Sequence, residues 1–105
     1  MDQQAVVLIN AFEVPSGEDQ SCLAGWERAH DFLLGQPGYR SSQLHKSMET
    51  SADFRYVNVS VWDSEEAFRA ATSRPEFHDI SMGYPLHSSV YELVSADQRW
   101  VARTH

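Results

Sequence analysis

Three observations predict an α+β fold: one domain in which a four-stranded antiparallel sheet carries its helices on one face. Runs of strand character recur four times, at 5–13, 39–48, 53–62 and 88–94. Two stretches with helical spacing, 18–34 and 63–71, interleave with them to give the order strand, helix, strand, strand, helix, strand. The third strand is also two-sided. Side chains alternate across a sheet, so Val57, Val59 and Val61 share one face while Phe54, Tyr56, Asn58, Ser60 and Trp62 share the other. A βαββαβ chain of this size closes by laying both helices on the same side of the sheet.

The first strand, Ala5 to Glu13, is rich in aliphatic residues but interrupted by Asn10, a polar group where a hydrocarbon would be cheaper to bury. Val14-Pro15-Ser16-Gly17 ends it, and Ser16 with Asp19 three residues on forms an imperfect capping box for the first helix. In that helix Leu23, Trp26, His30 and Leu33 recur at spacings of three and four. Gln36-Pro37-Gly38 stops it. The second strand, Tyr39 to Met48, is the most polar and reads as an edge or a pocket rim. After the third strand, Asp63 with Glu66 caps a short helix bearing Ala67, Phe68, Ala70 and Ala71. Ser73-Arg74-Pro75 breaks it, with a further helical turn or two expected over 76–82. Gly83-Tyr84-Pro85 is a loop, Ser88 to Val94 the last strand, and 96–105 a tail or arm after a domain spanning 1–95.

The composition bounds the function. A net charge of -7 argues against nucleic acid or an anionic membrane as partner, since both require a basic face. No apolar run approaches the ~18–20 residues of a membrane span, and the N-terminus lacks a signal pattern, so a cytoplasmic location is expected. Cys22 is the single cysteine, and the five histidines show no metal-ligand spacing, so no metal site is expected. The helix-free face of the sheet needs cover. A second copy would supply it, with the valine side of the third strand as a sheet-on-sheet contact.

The mixed face of the third strand is suited to a different task. An amide and an indole four residues apart, set among aromatic rings, can line a pocket for a flat, oxygen-bearing ligand. With Leu8-Ile9-Asn10-Ala11-Phe12-Glu13-Val14-Pro15, Gln36-Pro37-Gly38-Tyr39, Leu44-His45-Lys46-Ser47, the segment from Phe54 to Trp62 and the Pro75-Glu76-Phe77 turn, the chain resembles the antibiotic biosynthesis monooxygenase family. The likeness covers roughly residues 5 to 94. It implies a ferredoxin-like fold, assembled as a dimeric α+β barrel, and an oxygenase acting on a polycyclic phenol or quinol of aromatic-polyketide type. The outcome would be hydroxylation, quinone formation or oxidative ring opening.

The resemblance implies roles as well. Asn58 and Trp62 match the asparagine–tryptophan pair of anthrone and quinol oxygenases, and His45 matches a histidine on the preceding strand. These three are the expected catalytic residues. A tyrosine of that group falls at Phe68 here, so its hydroxyl is missing. Asn10, Phe12, Trp26, His30, Phe54, Tyr56, Phe68, Phe77 and Met82 are expected around the substrate, several of them filling core as well. An electron-rich phenol, once deprotonated, reacts with dioxygen without a metal, and the protein has then to bind the plane, favour the anion and move protons. Asn58 can donate to an oxygen that becomes anionic, Trp62 can donate through its indole N–H, and His45 is the candidate proton acceptor.

Other members of the fold leave alternatives open. The ring-opening oxygenases of angucycline-type polyketides share the phrases around Pro15 and Trp62, and some use reduced flavin. No Gly-rich phosphate loop is present for a tightly held flavin, so only a transiently bound one fits. Heme-degrading members need an asparagine, a tryptophan and a heme-ligating histidine; Asn10 and Trp62 match the first two, but the ligand falls near Ser81, with His78 one turn earlier, so heme binding would require a slip in register. A non-catalytic barrel binding a small aromatic, and a general quinol monooxygenase, are the remaining readings.

Overall fold

The computed structural model describes residues 5–80 and 83–96. Its elements are β1 (Val6–Phe12), α1 (Asp19–Leu33), β2 (Tyr39–Lys46), β3 (Tyr56–Trp62), α2 (Glu65–Thr72), α3 (Pro75–His78) and β4 (Leu86–Glu92). The four strands make one antiparallel sheet in the order β2-β3-β1-β4, the ferredoxin-like arrangement that the element order implied. The aliphatic strands, β1 and β3, are central, and the polar ones, β2 and β4, take the edges, where unpaired backbone meets water.

Register decides what shares a face. Asn10 stands opposite Asn58, Leu8 opposite Ser60 and Phe12 opposite Tyr56. Ser88 on β4 is opposite Asn10, and Leu44 on β2 is opposite Asn58, so Ser88, Asn10, Asn58 and Leu44 run as one row across the sheet. The helices lie over this face. Leu8 and Trp62 pack with Phe68 and Ala71 of α2. Phe12 and Tyr56 pack with Cys22 of α1. Trp62 and Tyr56 are 0% and 1% exposed, and burying a large apolar side chain contributes roughly 1.5–3 kcal/mol. The opposite face, with Val7, Ile9, Ala11, Val57, Val59 and Val61, is only half-buried in a single chain.

Several local expectations are corrected. β3 begins at Tyr56 rather than Asp53, because Arg55 is turned aside: its guanidinium donates to Asp19 at 3.2 and 3.4 Å and to the Ser47 carbonyl at 2.9 Å. Phe54 therefore leaves the strand alternation and packs edge-on against His87, ring centroids 5.0 Å apart. The cap of α2 is Ser64, whose Oγ accepts from the Ala67 N–H at 3.1 Å, while Asp63 pairs with Arg40. The N-cap of α1 is Glu18 without a side-chain cap bond, so Ser16 does not serve there. β4 starts two residues earlier than expected, at Leu86, and ends at Glu92. Of the expected C-terminal arm only Ala96 falls among the described residues.

One glycine positions two elements. Gly38 has φ +87°, and a Cβ built there would stand 2.4 Å from Ala67 Cβ. Its carbonyl accepts from the Asp63 N–H at 2.8 Å, so the entry to β2 is clamped against the start of α2.

Candidate active site

Between the helices and the even-numbered face of the sheet lies a cavity of about 340 Å³, within the range of small-ligand sites. Leu8, Asn10 and Phe12 of β1 and Asn58, Ser60 and Trp62 of β3 form its floor. Trp26, Ala29, His30 and Leu33 of α1 wall one side, one helical turn apart. Phe68 and Thr72 of α2 and Phe77 and His78 of α3 wall the other. Ser42, Ser88, Leu86, Ile80, Gly83 and Tyr84 complete the lining. Among the described lining residues none is Lys, Arg, Asp or Glu, so polarity comes from amides, hydroxyls and two imidazoles.

The two amides of the floor are in different states. Asn58 is buried, and its Oδ1 accepts from the Trp26 indole Nε1–H at 2.9 Å. An indole nitrogen only donates, so this bond fixes which end of the amide faces α1 and leaves the Nδ2 hydrogens for the cavity. Asn10, directly opposite, has its Oδ1 buried with no hydrogen-bond partner. Leaving such an acceptor unpaired costs about 1–3 kcal/mol. The fold therefore presents, on neighbouring strands, one amide ready to donate and one carbonyl lacking a donor.

Trp62 offers the cavity its ring, because its N–H is already bonded within the strand. Its Nε1–H goes to Ser60 Oγ at 3.3 Å, and its ring meets Tyr39 and Phe68 edge-on at 5.3 and 5.7 Å. Phe68 has no hydroxyl and contributes only ring surface. On the opposite wall His30 stacks on Trp26, centroids 4.9 Å apart and planes within 9°, with Tyr39 edge-on at 6.1 Å. The Tyr39 hydroxyl is 2.6 Å from Ser42 Oγ.

Eight of the expected residues thus converge: Asn58, Trp62, Asn10, Phe12, Trp26, His30, Phe68 and Phe77. Three do not. His45 pairs with Val57, which puts it on the helix-free face, where it is exposed and 3.3 Å from Gln43 Oε1. It cannot reach the cavity of its own chain, because alternation turns it the other way. Phe54 has left the strand, as described. Tyr56 is on the right face but one row too far, packed against Phe12 and Cys22 under the N-terminal end of α1. Burial, then the charge of Asp19, holds its phenol above the usual range, so it is a neutral core group. Met82 lies outside the described residues.

Sequence reasoning missed Ser88, Ser42, Thr72, Ile80, Leu86 and Tyr84. The strand pairings that bring the two serines in are long-range and leave no local signal. Tyr84 sat in a recognised loop, and its hydroxyl donates to Glu18 Oε1 at 2.9 Å, tying that loop to the start of α1 beside the cavity. Desolvation and that carboxylate hold the Tyr84 phenol above its ordinary range, so it remains a donor.

Residues 5–81 match the family model for antibiotic biosynthesis monooxygenases, and the chain belongs to that family. It is 35% identical over 79 residues to deoxynogalonate monooxygenase of Streptomyces nogalater, a match covering 73% of this chain and 63% of that protein. The crystal structure of SnoaB from the same organism, a cofactor-independent oxygenase, superposes with a TM-score of 0.77 at 25% identity, covering 89% of this chain and 96% of that one. A mycobilin-producing heme oxygenase of Mycobacterium tuberculosis is 33% identical over 70 residues, 67% of this chain and 65% of its own length. The chain thus spans less than two thirds of the length of both curated relatives.

Proposed function

We propose that this protein is an oxygenase that binds a flat, polycyclic phenol or quinol in the cavity and promotes its reaction with dioxygen, with no resident metal or cofactor. The observation that carries the reading is the amide pair. Asn58, oriented by Trp26, offers N–H groups to a substrate oxygen that becomes anionic, and Asn10 lines the cavity on the neighbouring strand beside it. Donors preset where negative charge develops act without reorganisation, the usual large term in such catalysis. Deprotonation supplies the carbanion-like electron density that dioxygen accepts, and the aromatic walls hold the plane and exclude water.

The lining supports the cofactor-free reading. Heme carries two propionates and a flavin nucleotide carries phosphate, and the described lining has no lysine or arginine to meet either. The residues present do not fit either group as a permanent occupant. The similarity to a cofactor-independent polyketide oxygenase agrees with this reading, and the half-buried valine face fits a homodimer.

The test is oxygen uptake on adding an anthrone or a polycyclic hydroquinone aerobically, with chelator and no flavin. Uptake well above the uncatalysed rate is expected. Tight binding with background uptake would make the protein a binding module. Uptake only with added reduced flavin would place it with the ring-opening oxygenases, and degradation of added heme would overturn the substrate class.

A further inference from the structure

The geometry points to His30, not His45, as the group that takes the substrate proton, with Trp26 holding this base and the Asn58 donor as one unit. The inference rests on the oxygenase reading of the cavity and adds the missing proton acceptor to it. His45, the candidate by resemblance, is on the far side of the sheet. Two histidines line the cavity, His30 from α1 and His78 from α3.

His30 is the better placed of the two. It is half-buried, whereas His78 is exposed. Among the described residues no hydrogen bond occupies either of its ring nitrogens, and its ring orientation is set by the parallel stack on Trp26 and the edge of Tyr39. Residues 26 and 30 are one turn apart on α1, so the stack follows from helical spacing. The same indole donates to Asn58 Oδ1. A single side chain therefore fixes the angle of the imidazole with its face and the direction of the amide with its edge.

The arrangement favours the products of proton transfer. The phenolic O–H bond of the substrate breaks, its electron pair stays on the substrate, and the proton forms an N–H bond on the imidazole. Positive charge then lies over the face of Trp26, the best aromatic partner for a cation. Negative charge lies where the Asn58 Nδ2 hydrogens can meet it. Both halves of the charge separation are stabilised by groups joined through one indole.

The test is His30→Phe, which retains a flat ring against Trp26 but has no basic nitrogen. It should be assayed by oxygen uptake with anthrones and hydroquinones of graded acidity at one pH. The expected result is a kcat loss of about 10²–10⁴ for weakly acidic substrates that shrinks toward none for those already ionised. A structural role predicts equal losses along the series. Circular dichroism on heating checks folding, and added imidazole should restore part of the rate in His30→Ala. Equal losses, or the acidity-dependent loss appearing in His78→Phe instead, would overturn the assignment. A second readout separates this failure from failure of the oxygenase reading. A hydroxyanthraquinone, coloured differently as phenol and phenolate, should be bound ionised by the parent and neutral by His30→Phe, whether or not oxygen is consumed. Identical spectra in both proteins would also overturn it.

Discussion

The indole of Trp26 gives its single hydrogen to Asn58 Oδ1 at 2.9 Å, and this bond gives the cavity floor its polarity. An amide in a β-strand is otherwise free to present either end, and only one end stabilises an anion. Replacing Trp26 by Phe keeps the stack on His30 and removes the N–H. Turnover should then fall by about fivefold while ring binding changes little, since an ordinary hydrogen bond is worth about 1 kcal/mol. Steady-state kinetics with a hydroquinone checks this.

Asn10 should carry a stability cost that its function requires. Its Oδ1 is buried and unpaired, so Asn10→Leu should raise stability by about 1 kcal/mol, read from urea melts. Asn10 also lines the cavity, and the same variant should bind an oxygen-bearing ligand about tenfold more weakly, measured by calorimetry. Loss of both stability and affinity would mean the amide has a structural partner.

Acid should act through Asp19. The hydrogen bond from Arg55 holds its carboxyl below the ordinary value of 3.8, although desolvation opposes this. A depressed folded-state pKa gives a contribution that is present above the unfolded value and lost as pH falls through the folded one. The difference in urea midpoint between the parent and Asp19→Asn should therefore be constant above about pH 5 and close below about pH 4. It should also shrink with salt, because Asp19 is partly exposed.

Gly38→Ala should destabilise by about 2 kcal/mol. Positive φ is costly for any side chain, and the new methyl would collide with Ala67 Cβ, which has no flexible end to move. Urea denaturation measures it. The loss should come without a change in substrate preference, because Gly38 lies outside the cavity lining.

The sheet face bearing Val57, Val59 and Val61 should hold two copies together. Val59 stands between Ile9 and Gln43 on neighbouring strands, near the centre of that face. Val59→Glu should convert a dimer to a monomer in analytical ultracentrifugation. A parent protein that sediments as a monomer at high concentration would refute the dimer.

Alternation carried most of what was legible in the sequence. It placed Asn58 and Trp62 on one face and the valines on the other, and helical spacing brought Trp26 and His30 to the same wall. It failed where the backbone departed from regularity. Arg55, drawn to Asp19, broke the alternation and took Phe54 with it. It also failed for His45, because resemblance supplied a residue without a face, and the pairing of His45 with Val57 decided which face it took. The Trp26–Asn58 bond spans 32 residues and had no signature in either segment.

The most direct measurement is aerobic oxygen uptake with a polycyclic hydroquinone, free of metal and flavin, for Asn58→Ala beside the parent protein. The expected result is a kcat lower by about 10²–10³ with ligand still bound, the loss typical of one preset donor to an anion. Turnover within threefold of the parent would contradict it.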